Sequence, residues 1–149
     1  MKINYKKLVF DIVITFVIGS LFSIFTANSF YNDLTKPFEI PAIVFPIVWS
    51  FLYLLMGISL YIISSNSTDK GNIILYFSQL IINSLWTLFF FGFRWIFFSF
   101  LWILLLIILV VIMIYQFYKS NKIAAYINIP YLLWLIFAAY LNYMIYYLN

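Results

Sequence analysis

The stretch Lys36-Pro37-Phe38-Glu39-Ile40-Pro41-Ala42-Ile43-Val44-Phe45-Pro46-Ile47-Val48-Trp49 holds three of the chain's four prolines and lies between two long apolar segments. Proline lacks a backbone donor and biases the residue before it away from helical geometry, so the chain leaves one helix here, runs extended and starts another. Just upstream, Asn28, Ser29, Asn32, Asp33, Thr35, Lys36 and Glu39 are interleaved with Phe30, Tyr31, Leu34 and Phe38. A solvated linker has no use for four large apolar residues. Residues 28–41 therefore read as a structured lid packed onto the mouth of a helix bundle.

The composition states what that bundle stands in. With 149 residues, 67% of them hydrophobic and 8% charged, the chain has too little polar surface to cover an apolar interior, and its solvent is lipid. It has neither cysteine nor histidine. That excludes disulfides, thiolate chemistry and iron–sulfur sites and removes the commonest metal ligand and general base, so no metal site and no cofactor are expected. The net charge of +4 comes from eight basic and four acidic residues near segment ends, a pattern of membrane topology and not of nucleic-acid binding.

Five apolar runs are long enough to cross a bilayer: about 8–27, 42–63, 72–91, 96–118 and 123–148, making residues 1–149 a single all-α, five-helix membrane domain. A cleaved signal peptide is the rival reading of the first run. Thr15, Gly19, Ser23 and Thr26 recur along it at helical spacing, a stripe suited to close helix packing. Pro46 falls in the first turns of the second run, where a missing donor costs least, and Pro130 is expected to kink the fifth. Lys2, Lys6, Lys7, Lys70, Lys119 and Lys122 lie on one side of this arrangement, Lys36 and Arg94 on the other. Six against two puts the amino terminus in the cytoplasm and the lid and carboxyl terminus outside a cell membrane.

Helical periodicity groups the remaining residues. Trp49 and Tyr53 share a face of the second span, Gln79, Asn83, Trp86 and Phe90 a face of the third, and Asn128, Tyr131, Trp134, Ala138 and Asn142 a face of the fifth. Amides in hydrocarbon need partners, so these faces look inward. Two readings fit. They converge on an aromatic-walled cavity for a flat, apolar ligand, or they only glue helices together.

Tyr31, Lys36-Pro37, Pro41, Phe45 to Trp49, Leu52-Tyr53, Met56-Gly57, Gln79-Leu80, Asn83, Trp86, Phe89 to Gly92, Pro130-Tyr131, Trp134, Phe137-Ala138 and Leu141-Asn142 together resemble the translocator protein family, also called tryptophan-rich sensory proteins or peripheral-type benzodiazepine receptors. The likeness, closest to bacterial members, spans four of the five segments in the right order. It implies an uncleaved first helix and a bundle that binds protoporphyrin IX or related tetrapyrroles and isoquinoline- or benzodiazepine-type drugs under the first loop. Carried over, it makes Tyr31 and Pro41 part of the lid, Trp49 and Trp134 aromatic walls with Tyr53 beside them, and Asn83, Trp86 and Phe90 the contribution of the third span. Ala138 and Leu141 line the fifth. Phe30-Tyr31 stands where the family usually has Trp-Tyr, and Ala42 where it has a second proline. The carboxyl-terminal sterol motif of animal members lacks its basic residue here.

Three functions follow from that resemblance and the composition: a tetrapyrrole receptor acting as sensor or carrier, a light- and oxygen-dependent porphyrin-degrading enzyme using Trp49 and Trp134 as catalytic side chains, and a helix-packing subunit of a membrane complex. The family also implies a homodimer. Without histidine or cysteine, metal-free porphyrin is a better partner than haem.

Overall fold

The computed structural model describes residues 2–66 and 68–149. In chain order the helices are α1 (Tyr5–Gly19), the short α2 (Phe30–Asp33), α3 (Val44–Asn66), α4 (Lys70–Thr87), α5 (Ile96–Ser120), α6 (Lys122–Ile127) and α7 (Ile129–Leu148). Four helical stretches among the described residues are long and apolar enough to cross a membrane: Val44–Asn66, Lys70–Gly92, Ile96–Ser120 and Lys122–Leu148.

The first apolar run departs from expectation. Its helix stops at Gly19 and is 15 residues long, about 22 Å at 1.5 Å per residue against a hydrocarbon core of roughly 30 Å. Residues 20–27 pass through a tighter turn, Ser23–Ala27, instead of continuing the α-helix. The reason lies across the bundle. The Gly19 carbonyl accepts a hydrogen bond from Tyr53 Oη at 2.9 Å, and Ser23 N, which would reach that carbonyl in a continued helix, donates to the Ser20 carbonyl at 3.0 Å instead.

Around the bundle, α1 packs between α3 and α4, α4 packs on α5, α5 on α6 and α7, and α6 closes back onto α3. Small residues set the closest approach. A methyl group on Gly57 would sit 2.6 Å from Ile12 Cα, so α1 and α3 touch backbone to backbone there. At the same end Lys7 pairs with the buried Asp11 at 2.7 Å, and Ser64 Oγ donates to the same carboxylate at 3.2 Å. That pairing is what allows a carboxylate into an apolar helix.

The fifth run is broken as Pro130 implied. α6 ends at Ile127, and Asn128, fully buried, donates to Ser59 Oγ and to the Ala124 carbonyl. Pro130 falls in the first turn of α7, where its absent N–H leaves nothing unpaired.

At the far end, residues 28–43 cross the bundle mouth. Phe30, Tyr31 and Leu34 pack with Phe90, Leu141 and Ile145 in a second apolar cluster, while Phe38 stays exposed beside Phe137. Lys36 Nζ donates to the Tyr31 and Leu34 carbonyls, each at 3.0 Å, and lies over the Tyr31 ring. The crossing is also fastened to the end of α7: Thr35 N donates to Asn149 Oδ1 at 3.0 Å, and Asn149 Nδ2 returns a bond to the Thr35 carbonyl at 2.9 Å.

Candidate functional site

α4 does not stop at Thr87. It widens into one π turn, Leu88–Gly92, closed by Phe93 N donating to the Leu88 carbonyl at 2.9 Å, and the chain then reverses through Arg94 at φ 59°. Phe90 and its neighbour Phe91, both within this turn, border the same cavity.

That cavity, about 420 Å³, lies beneath residues 28–43 in the half of the bundle that the early end of α1 leaves open. Tyr31 closes it above, Phe45, Pro46, Trp49, Ser50 and Tyr53 come from α3, Trp86 from α4, and Trp134, Ala138, Leu141, Asn142 and Ile145 from α7. Phe16, Gly19, Ser20, Ser23 and Thr26 form the remaining side. One wall is therefore aromatic and the other carries small hydroxyls.

The aromatic wall is rigidly braced. Trp86 lies on Phe90 with ring centroids 5.3 Å apart, and its Nε1 donates to Asn142 Oδ1 at 3.0 Å. Asn142 accepts a second bond from Ser99 Oγ at 3.2 Å and donates to the Ile96 carbonyl at 2.9 Å, so its amide is fixed by α4 and α5 together. Trp49 is held between Tyr53, 5.5 Å away, and the edge of Tyr131, 6.2 Å away. Phe45 bridges Tyr31 and Trp134 at 5.4 and 6.1 Å.

Two residues that border the cavity each carry a buried polar atom with no partner among the described residues: Tyr31 Oη and Trp134 Nε1. Each is a donor in low-dielectric surroundings, and an unmet donor there costs about 1–3 kcal/mol. Burial, and then the Glu39 carboxylate, push the Tyr31 phenol above its ordinary value, which keeps it a neutral O–H donor.

Of the residues expected at a site, Tyr31, Trp49, Tyr53, Trp86, Phe90, Trp134, Ala138 and Leu141 border this one cavity. Asn83 and Pro41 do not. Asn83 is buried deeper, its Nδ2 donating to Tyr131 Oη at 2.7 Å, because its place three residues before Trp86 lowers it toward the middle of the bundle. Pro41 is exposed beside the start of α3, its carbonyl accepting from Val44 N at 3.0 Å. The hydroxyl side contributed by Ser20, Ser23 and Thr26 was not expected as a lining. Ser23 and Thr26 do stand in the small-residue stripe of the first run, but that stripe reads equally as packing.

A sequence profile of the TspO/MBR family matches residues 11–148, from the buried Asp11 to the last residue of α7. The chain belongs to the TspO/MBR family. It is 38% identical to the tryptophan-rich protein TspO of Archaeoglobus fulgidus over 98% of this chain and 99% of that protein. It is 34% identical to the protein of the same name from Chlorobaculum tepidum over 88% and 86%. Protein CrtK of Rhodobacter capsulatus is 30% identical over 88% and 85%. With its apolar helices, membership makes the chain a multi-pass protein of a lipid bilayer, and the TspO/MBR match covers every residue that borders the cavity.

Proposed function

We propose that this protein is a membrane receptor that binds a tetrapyrrole such as protoporphyrin IX, and drug-like aromatic molecules of isoquinoline or benzodiazepine type, as a sensor or carrier. The observation that carries the reading is the cavity walled by Trp49, Trp86, Phe90 and Trp134, two of whose bordering residues, Tyr31 and Trp134, keep buried donors without a partner among the described residues. A flat conjugated ligand supplies stacking area to Trp49, Trp86 and Trp134 and a few acceptors to those donors. Its volume of about 420 Å³ falls in the range of roughly 300–1,000 Å³ typical of small-molecule sites. The name of a relative from Cereibacter sphaeroides, tryptophan-rich sensory protein, agrees with a sensing role.

In this reading residues 1–149 form one five-helix membrane domain, with α1 and the turn after it making the fifth crossing and residues 28–41 acting as a lid. The six lysines at the Lys7–Asp11 end support a topology with that end in the cytoplasm and the lid and carboxyl terminus outside the cell membrane. The placement of Trp49 and Trp134 on the same cavity favours, as a second reading, light- and oxygen-dependent porphyrin breakdown at that site.

The test is titration of the detergent-purified chain with protoporphyrin IX in the dark and then under light, following tryptophan quenching and porphyrin absorbance. Saturable binding weakened by Tyr31→Phe and by Trp134→Phe is expected. Absence of saturable binding by folded protein would remove the tetrapyrrole assignment. Porphyrin loss in light that vanishes in Trp49→Phe/Trp134→Phe would favour the enzyme.

A further inference from the structure

Lys36-Pro37 belongs to the pattern that marks the family, and Lys36 does not border the cavity. Its side chain nevertheless holds a residue that does. α2 is a single turn, Phe30–Asp33, and the carbonyls at its end face the shortage of donors common to helix ends. In a continued helix Thr35 N would serve the Tyr31 carbonyl and Lys36 N the Asn32 carbonyl. Thr35 N is spent instead on Asn149 Oδ1 at 3.0 Å, and Pro37 disfavours helical geometry at Lys36.

The Lys36 side chain turns back to fill the place. Its Nζ donates to the Tyr31 and Leu34 carbonyls at 3.0 Å each and reaches the Asn32 carbonyl at 3.5 Å, three acceptors for the three N–H groups of one ammonium. Lys36 forms no ion pair among the described residues, so its charge is met by these carbonyls and by the Tyr31 ring, whose centroid lies 4.8 Å from Nζ. The same ring packs with Phe45 at 5.4 Å and with Phe91 at 6.4 Å, both of which border the cavity. Cavity residues thus hold part of the ring, and the ammonium holds another part together with the ring's own backbone carbonyl.

We infer that Lys36 is a positioning residue of the binding site: its ammonium ties off the end of α2 and thereby fixes Tyr31 at the border of the cavity. That role presupposes the binding function proposed above. Attraction of an anionic ligand is a different task, and a lysine that performs it keeps N–H groups free, whereas here the main chain occupies all three. An arginine would keep the charge, but its donors are spread over a rigid planar fork and do not converge on three carbonyls from one nitrogen.

The test uses the full chain in liposomes with meta-fluorotyrosine at position 31, read by fluorine NMR without ligand, and the unlabelled chain titrated with protoporphyrin IX in the dark. One narrow fluorine resonance is expected for the wild type. Lys36→Met and Lys36→Arg should each shift or broaden it, and each should weaken porphyrin binding by about threefold or more. In a Tyr31→Phe background, Lys36→Met should change the affinity by less than about twofold, because the two residues act as one unit. An unchanged fluorine resonance in Lys36→Met overturns the inference whether or not porphyrin binds. Wild-type affinity in Lys36→Arg beside a loss in Lys36→Met would make the lysine an attractor of ligand charge, and independent losses in the double variant would place its effect outside Tyr31; either result overturns it. Absence of saturable binding by the wild type removes the tetrapyrrole reading, and the fluorine resonance then decides by itself whether Lys36 fixes Tyr31.

Discussion

Replacing Gly19 by alanine tests the link between the end of α1 and the cavity. A methyl at this position would lie 2.5 Å from Tyr53 Cε1 and 2.6 Å from Cζ, whereas carbon atoms in good contact stand about 3.5–4.0 Å apart. The ring must move by about 1 Å. It has little room, because Phe16 meets its edge at 5.7 Å on one side and Trp49 lies against it at 5.5 Å on the other. Movement strains the Tyr53 bond to the Gly19 carbonyl and pushes Trp49 toward the cavity. Overpacking of this kind costs about 1–3 kcal/mol and loss of the hydrogen bond about 0.5–1.5 kcal/mol, so Gly19→Ala should destabilise the fold by roughly 2–4 kcal/mol. Reversible unfolding in mixed micelles measures it, run as a cycle with Tyr53→Leu. If the methyl acts through the ring, the two changes couple by about 1 kcal/mol or more. Additive effects would refute the argument and move the cost of Gly19→Ala to the helix end itself.

Ala138→Phe fills the cavity from α7 and should weaken protoporphyrin binding by about tenfold or more, read by fluorescence titration, with the helical circular dichroism unchanged. Asn142→Leu leaves Trp86 Nε1 unpaired, while the Ile96 carbonyl keeps its bond from Ser99 Oγ, and a loss of roughly 1–3 kcal/mol in micelle unfolding is expected, with Trp86 emission broadened. The raised ionisation of Tyr31 favours the neutral phenol in the folded protein. Its contribution is therefore fully present below the ordinary value near 10 and declines as pH rises through the raised folded value, so a difference between wild type and Tyr31→Phe in the alkaline unfolding profile should emerge only above about pH 10.

Inward-facing residues at helical spacing were legible before any coordinates. Trp49 with Tyr53 and Trp86 with Phe90 reach the cavity because a run of i, i+4 positions keeps one face whatever the helix packs against. The place of Pro130 was equally readable, since a missing N–H is tolerated at a helix start. What could not be read depends on depth and on partners far away in sequence. Asn83 shares its face with Trp86 but sits lower, where Tyr131 meets it. The break after Gly19 is imposed by Tyr53 across the bundle, and local composition at residues 20–27 contains only apolar and small residues that a helix accepts. The hydroxyls of Ser23 and Thr26 border the cavity for that reason alone.

The π turn at Leu88–Gly92 has a meaning for how such chains vary. A π turn is an α-helix that has absorbed one additional residue, so removing a single residue there would restore regular helix without shortening the polypeptide's path through the bundle by more than about 1.5 Å. Because the extra residue is taken up within the turn, its loss would leave Trp86 before it and the chain reversal after Gly92 in place, and change only which of Phe89, Phe90 and Phe91 faces the cavity. A one-residue gap between relatives at this position is therefore confined to a single turn of one wall, with the rest of the bundle keeping its register.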